Sequence, residues 1–196
     1  MAAGTPTAST PSPPDDGLYA AVTRCHAGLE AVFAGHQEAL LLGELAMAGE
    51  LLDAYRALQR VHIGFEDGQL LRRARQGGFD LRWPVRLYDA EHRKIEGLLD
   101  KVTRRLAALP AGDEAALRRE VLALLEAERV LKHVCEHHEA REEQDLLPRL
   151  DRWLPPAERS ALAAAFAADW TAALAGQAAL HERARERLDG LRFRRG

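Results

Sequence analysis

A ten-residue pattern occurs twice in the chain, at residues 62–71 and again at residues 138–147. Each copy consists of a histidine, three further residues, two acids, two more residues and a Leu-Leu pair. Residues four apart on an α-helix differ by about 40° in direction and about 6 Å along the axis. Each copy therefore places an imidazole and a carboxylate on one face, one turn apart. A single such pair is common on helix surfaces, but two matched copies indicate two pairs of metal ligands.

The composition favours helix over most of the chain, because Ala, Leu, Arg and Glu dominate while β-branched and aromatic residues are scarce. Turn and cap residues divide the sequence into four long helices, at about residues 18–42, 45–75, 84–109 and 114–147. Pro148 should bend or end the fourth helix. Four long helices with short turns predict an all-α, up-down-up-down antiparallel four-helix bundle. After Pro155, an appended C-terminal helical segment is expected, broken near Gly176.

The chain predicts one bundle domain with an extension at each end. Residues 1–15 predict a disordered tail, residues 16–152 the bundle, and residues 153–196 the C-terminal helical extension. The net charge of −3 gives no reason to expect nucleic acid or an anionic membrane as a partner. Without an apolar signal segment or a run of about 18 apolar residues, we expect a cytoplasmic protein with no membrane span. Cys25 and Cys135 are too few for a disulfide framework and are expected in the core.

Hairpin geometry pairs two of the eight histidines. The stretch of chain from His26 to the turn at Gly43 is nearly as long as the stretch from Glu44 to His62. Across an antiparallel hairpin these two histidines are therefore at nearly the same height. His36 is about 15 Å further along the helix than His26. We therefore expect His36 to be partly exposed or to support the ligands from outside.

The fourth helix offers several histidines, of which His138 shares a face with Glu142. His137 is rotated by about 140° from that carboxylate, so it is the second choice as a ligand. His133 and His181 are expected at surface or capping positions.

The third helix offers only His92. The stretch from His92 to the turn at Pro110 is shorter than the stretch from Asp113 to His138. The mismatch of about seven residues corresponds to about 10 Å of helix. Either the fourth helix begins with an overhang, or the connector extends past Asp113.

The predicted metal ligands are one histidine, a His-xxx-Glu pair, a further histidine and a second His-xxx-Glu pair, namely His26, His62, Glu66, His92, His138 and Glu142. Imidazoles and carboxylates with open positions suit iron, manganese or zinc. One carboxylate from each half can bridge two metals, which would leave each metal at least one vacant or solvent-filled position. Burying these polar groups is unfavourable unless a metal or partners compensate.

The order of these segments resembles the hemerythrin-like (HHE cation-binding) family. The resemblance covers about residues 18–150 and rests on the segments Cys-His26-Ala-Gly-Leu-Glu-Ala-Val-Phe, Val-His62-Ile-Gly-Phe-Glu66-Asp, Ala-Glu-His92-Arg-Lys-Ile and His138-Glu-Ala-Arg-Glu142-Glu-Gln-Asp-Leu-Leu-Pro. It implies a four-helix bundle with a carboxylate-bridged, non-haem di-iron centre. The expected cofactor is two iron ions, with manganese or zinc as other choices. The expected function is to bind or sense oxygen or another small diatomic or redox ligand, or to handle iron.

The resemblance leaves several alternatives open. The best-known oxygen carriers have a pair of histidines on the third helix, where this chain has Tyr88 and Glu96 on either side of His92. Tyr88, Glu96 or water would complete the metal shell. Binding or sensing is favoured over catalysis, and a di-iron oxidase, peroxidase or nitric-oxide-reactive enzyme is the alternative. A ferritin-like oxidase would instead use Glu-xx-His on two helices. Binding of a protein partner, which the sequence does not identify, would rest on residues 157–191.

Overall fold

The computed structural model describes residues 17–78 and 80–192, and all regular structure within these stretches is helical. The all-α prediction is therefore confirmed for them, while the predicted disordered tail at residues 1–15 lies outside the described residues. The helical segments are, in chain order, α1 (Leu18–Leu42), α2 (Leu45–Phe65), a first π-helical segment (Glu66–Leu71), α3 (Arg72–Gly77), α4 (Val85–Ala107), α5 (Glu114–Arg141), a second π-helical segment (Glu142–Leu146), α6 (Leu147–Trp153), α7 (Pro156–Ala175) and α8 (Ala178–Arg192).

Helix α1 packs against α2, α4 packs against α5, and the two pairs meet through contacts of α2 with α4 and of α1 with α5. These contacts are compatible with the predicted four-helix bundle. Gly43 ends α1 with a φ of 80°, a left-handed conformation that favours glycine. Helices α7 and α8, separated at Gly176 as predicted, both pack against α1 and α2. No helix in the described part of the chain combines the length and apolarity that a membrane crossing requires.

The mismatch in the α4–α5 hairpin is resolved by an overhang at the start of α5. The side chain of Asp113 accepts a hydrogen bond from the Ala116 N–H at 3.0 Å, so α5 begins directly at Glu114. Arg105, near the end of α4, donates to the carbonyl oxygen of Ala123 at 3.3 Å. The first two turns of α5 therefore lie beyond the end of α4. They line a groove together with the α1–α2 turn, formed by Leu40, Leu41, Leu42, Gly43, Leu45, Glu114, Leu117, Arg118, Val121 and Leu122.

The two π-helical segments begin at Glu66 and Glu142, the first acid of each repeated pattern. Such segments are rare and often occur at functional sites. Of the two outcomes predicted for Pro148, a bend or an end of the helix, the end does not occur, since α6 continues to Trp153. In the second π-helical segment the Leu147 N–H donates to the carbonyl of Glu142, five residues earlier. This wider turn just before the proline relieves the clash that its ring makes with an α-helical carbonyl.

His36 is fully buried, which corrects the expectation that it is partly exposed or supports the ligands. Its Nδ1 lies 2.7 Å from the carbonyl oxygen of Ala48, and its Nε2 lies 2.9 Å from Oε1 of Glu128. Gln37 donates to the other oxygen of Glu128 at 3.1 Å. His36 and Glu128 thus form a buried polar pair that ties α1 to α5 and is separate from the predicted ligands.

Candidate metal centre

The six predicted ligands lie together in the interior, and none is more than 5% exposed. Their side chains form two overlapping groups, one made of His26, His62, Glu66 and Glu142 and the other of Glu66, His92, His138 and Glu142. Within each group, the possible ligand atoms all lie within 4.8 Å of one another. We call His26 and His62 the first histidine pair, and His92 and His138 the second. The two groups share both carboxylates, one from each π-helical segment.

Glu66 faces both histidine pairs. Its Oε1 lies 3.1 Å from Nε2 of His62, and its Oε2 lies 3.2 Å from Nε2 of His92. The Nε2 atoms of His92 and His138 lie only 3.1 Å apart, so the nitrogens of the second pair converge on one point. A carboxylate with one oxygen toward each histidine pair has the arrangement needed to bridge two cations.

Glu142, in the second copy of the pattern, also has one oxygen toward each histidine pair. Its Oε2 lies 3.3 Å from Nε2 of His26, and its Oε1 lies 3.5 Å from Nε2 of His138. Among the described residues, both of its oxygens lack a hydrogen-bond partner, as do Nε2 of His26, Nε2 of His62 and Oε1 of Glu66. Buried polar atoms normally have a partner. These unpartnered atoms, all from imidazoles and carboxylates, fit a pair of iron ions or similar divalent cations.

The second acid of each repeated pattern supports a histidine on a different helix. Nδ1 of His92 lies 2.9 Å from Oδ1 of Asp67, and Nδ1 of His26 lies 2.9 Å from Oε1 of Glu143. A carboxylate that accepts the Nδ1–H fixes the tautomer in which Nε2 is free to bind a metal. Sequence reasoning identified the first acid of each pattern but missed this role of the second. The signal for this role was the presence of two consecutive acids in both copies of the pattern.

The other two histidines differ from one another in their outer contacts. Nδ1 of His138 lies 3.2 Å from Oε2 of Glu91, whose other oxygen accepts from Arg141 at 2.5 Å. Nδ1 of His62 is buried and has no hydrogen-bond partner among the described residues. Its ring lies 6.5 Å from the ring of Phe166 on α7. Burial lowers the pKa of His62 well below its usual value, so this imidazole is neutral near pH 7.

Neither residue proposed to complete the shell from α4 supplies an obvious ligand atom. Tyr88 is fully buried beside His138, with 6.0 Å between the ring centroids. Its hydroxyl donates to the carbonyl oxygen of Arg141 at 3.4 Å. Glu96 is exposed and belongs to neither group. Water or an added ligand is therefore the remaining choice for the open positions.

The ionisation of the metal-free centre reflects burial and the opposing charges. Burial alone would raise the pKa of Glu66, but hydrogen bonds from His138 and His92 hold it well below its usual range. Burial and the charge of Glu66 raise the pKa of Glu142. Burial would lower the pKa of His26, but the nearby carboxylates of Glu142, Glu139 and Glu143 raise it to about 9. Protons on the imidazoles thus compensate the carboxylates when no cation does so.

We expect the stability gained from metal to increase between pH 6.5 and about 9. Because the pKa of His26 rises from 6.5 to about 9 on folding, its stabilising proton is fully held below pH 6.5 and is lost as the pH approaches 9. A metal ion must displace that proton, so metal affinity rises over the same interval. Thermal unfolding of metal-free and metal-loaded protein across this range tests the prediction. A difference in Tm that narrows with rising pH would contradict it.

The histidines of α5 provide a test of which face of this helix points toward the centre. His137 is exposed, and its Nε2 faces Nε2 of His133 at 3.1 Å rather than the centre. His181 is half-buried on α8 and belongs to neither group. We expect His138→Ala to weaken metal binding by more than about 10-fold, the smallest loss typical of changes around a metal. His137→Ala should leave the tight binding unchanged in the same metal assay. If His137→Ala weakened binding and His138→Ala did not, His137 rather than His138 would face the centre.

Comparison of the chain with protein-family models, with curated proteins and with solved structures gave no match in any of the three. The buried histidine and glutamate side chains are therefore the observation that bears on function. Their two overlapping groups could hold metal ions.

Proposed function

We propose that the chain is a hemerythrin-like protein that binds a pair of iron ions and, at that pair, oxygen or another small diatomic or redox ligand. The observation that carries the proposal is the sharing of Glu66 and Glu142 between two histidine pairs. The proposed fold is the antiparallel bundle of α1, α2, α4 and α5 in up-down-up-down order. It is supported by the contacts of each of these helices with two of the others.

Each ion would be held by one histidine pair and by one oxygen from each shared carboxylate. Reduced iron held by these residues would supply the electrons and the open positions that reversible oxygen binding requires. The protein's own groups set the conditions for this chemistry. Asp67 and Glu143 hold the Nδ1 protons of His92 and His26, which keeps the Nε2 atoms directed at the ions.

Burial limits what can reach the centre. The six ligands are at most 5% exposed, with Tyr88 beside the second histidine pair and Phe166 beside the first. A bulky substrate would require the helices to rearrange. This enclosure favours binding or sensing of a small molecule over turnover of a bulky substrate.

The proposal is tested by loading metal-free protein with ferrous iron without oxygen, then measuring bound metal and visible absorption. We expect two ions per chain, and an absorption change on adding oxygen that reverses when oxygen is removed. Sustained consumption of oxygen would favour the alternative of an oxidase or peroxidase. Sustained consumption of nitric oxide, added in place of oxygen, would instead identify an enzyme that acts on nitric oxide. Parallel loading with manganese and zinc tests the choice of metal.

The matched control for this experiment is Glu96→Gln, which changes an exposed carboxylate on the helix that carries His92. It should bind metal like the parent protein. Binding of fewer than two ions by the parent protein at saturation would contradict the dinuclear centre.

A further inference from the structure

The two histidine pairs are related by an internal repeat that extends beyond the His-xxx-Glu patterns. Residues 25–33 align with residues 91–99, with the histidine, an aliphatic residue three positions later and a glutamate four positions later in common. The residue before the histidine differs between the copies. It is Cys25 in the first copy and Glu91 in the second.

This difference matters because Glu91 supports a metal ligand on the neighbouring helix. Its Oε2 lies 3.2 Å from Nδ1 of His138, and its Oε1 is held by Arg141. By the repeat, Cys25 occupies the corresponding place with respect to His62. Cys25 is a fully buried free thiol, and a thiol is only a weak acceptor. Nδ1 of His62 accordingly has no partner among the described residues.

The surroundings of the first histidine pair are also more apolar. Phe166 of α7 lies beside His62. Trp170, one turn later, packs so closely on α1 that a Cβ at Gly28 would lie 2.9 Å from a ring carbon. The repeat aligns Gly28 with Lys94, which is exposed. Helix α7 therefore covers the first histidine pair, where no carboxylate accepts a hydrogen bond from Nδ1 of His62. Water does not readily replace the missing acceptor there.

Metal binding at Nε2 places the ring proton on Nδ1. For three of the four histidines a carboxylate accepts that proton, as described above. For His62 the N–H would be buried without an acceptor, which is unfavourable. Loss of such an outer partner typically weakens metal binding by about 10- to 100-fold. His26 and His92 are equally supported, so the imbalance arises at His62.

We propose that the two positions of the centre hold metal unequally. The position at His92 and His138 fills first, and the position at His26 and His62 binds about 10- to 100-fold more weakly because Cys25 stands in place of a supporting carboxylate. The ion at the first histidine pair is then the exchangeable one. This inference rests on the proposed dinuclear centre.

The test is an anaerobic titration of metal-free protein with ferrous iron against a competing chelator. A His137→Ala background removes the exposed pair with His133, which could bind metal from solution. We expect two binding steps separated by about 10- to 100-fold in affinity. His62→Ala should remove the weaker step and keep the tighter one, whereas His92→Ala should remove the tighter step.

Reciprocal variants test the cause of the difference. Glu91→Cys should weaken the tighter step by about 10- to 100-fold, so that the two steps merge. Cys25→Glu should strengthen the weaker step by a similar factor. Glu91 is 12% exposed at its side chain, while Cys25 is fully buried, so Glu91→Cys decides the question if Cys25→Glu does not fold.

The possible failures are distinguishable. Two steps of equal affinity, loss of the tighter step in His62→Ala, or no effect of Glu91→Cys would overturn the inference while two ions still bind. Saturation at fewer than two ions would instead overturn the dinuclear centre and, with it, the proposed function.

Discussion

Glu142→Gln is expected to abolish the binding of both ions while leaving the metal-free protein at least as stable as before. In the proposed centre Glu142 would serve both ions, because it belongs to both groups of ligands, so a neutral amide there would disrupt both positions. In the metal-free protein, burial and the charge of Glu66 raise the pKa of Glu142, which means that its ionised form is unfavourable in the fold. Replacing it with an amide of the same shape removes that unfavourable charge.

The measurement is thermal unfolding with and without iron, together with bound metal. At an iron concentration 100 times the dissociation constant of a site, each bound ion should stabilise the parent protein by about 2.7 kcal/mol, and the variant should gain nothing measurable. The metal-free parent should melt at the lower temperature but remain helical, because its core of Leu, Ala and Val does not depend on the ions. Glu96→Gln serves again as the control. A variant that retains both ions would place Glu142 outside the centre.

Glu128→Ala should destabilise the fold by about 1–3 kcal/mol without reducing metal content. The change leaves His36, which is 0% exposed, with its Nε2 buried and unpaired. Removing one partner of a buried hydrogen-bonded pair carries a penalty because the other remains desolvated. Such a loss is a substantial part of the roughly 5–15 kcal/mol that holds a typical domain together. Denaturant unfolding and metal analysis of the same samples provide the two readouts.

Two further variants separate the causes. Glu128→Gln keeps an oxygen that can face Nε2 of His36 and should be milder. The double replacement His36→Leu with Glu128→Leu should recover much of the stability, since an apolar pair leaves neither partner of the hydrogen bond buried and unpaired. Equal unfolding free energies for Glu128→Ala and the parent protein would show that the pair does not support the α1–α5 contact.

The sequence was informative where a feature depends on helix periodicity and hairpin length. His138 could be separated from His137 because a rotation of about 100° decides which residue faces inward. The common height of His26 and His62 followed from their nearly equal distances to one turn. The overhang of α5 was one of two alternatives, and only the start of the helix at Glu114 distinguished them.

The features that the sequence did not reveal depend on distances between helices. His36 and Glu128 are far apart in the chain, on α1 and α5, and no local pattern links them. The contact between Asp67 and His92 likewise depends on how closely two helices approach. The π-helical segments escaped prediction for another reason. They differ from α-helix in the partner of a few backbone N–H groups, which composition hardly influences.

Those π-helical segments make the length of the repeated pattern as important as its residues. In an unbroken α-helix, Leu71 would be rotated by about 140° from Glu66 and would face away from the interior. In this protein both Leu70 and Leu71 are 0% exposed, because the wider turns bring the second leucine back to the core. A chain that lost Gly68 would keep every ligand and, as an unbroken α-helix, would place the two leucines about 60° and about 40° to either side of Glu66, still toward the core. The extra residue and the wider turn thus belong together: relatives that keep the spacing should keep the π-helical turn, and relatives with one residue fewer should have ordinary α-helix there.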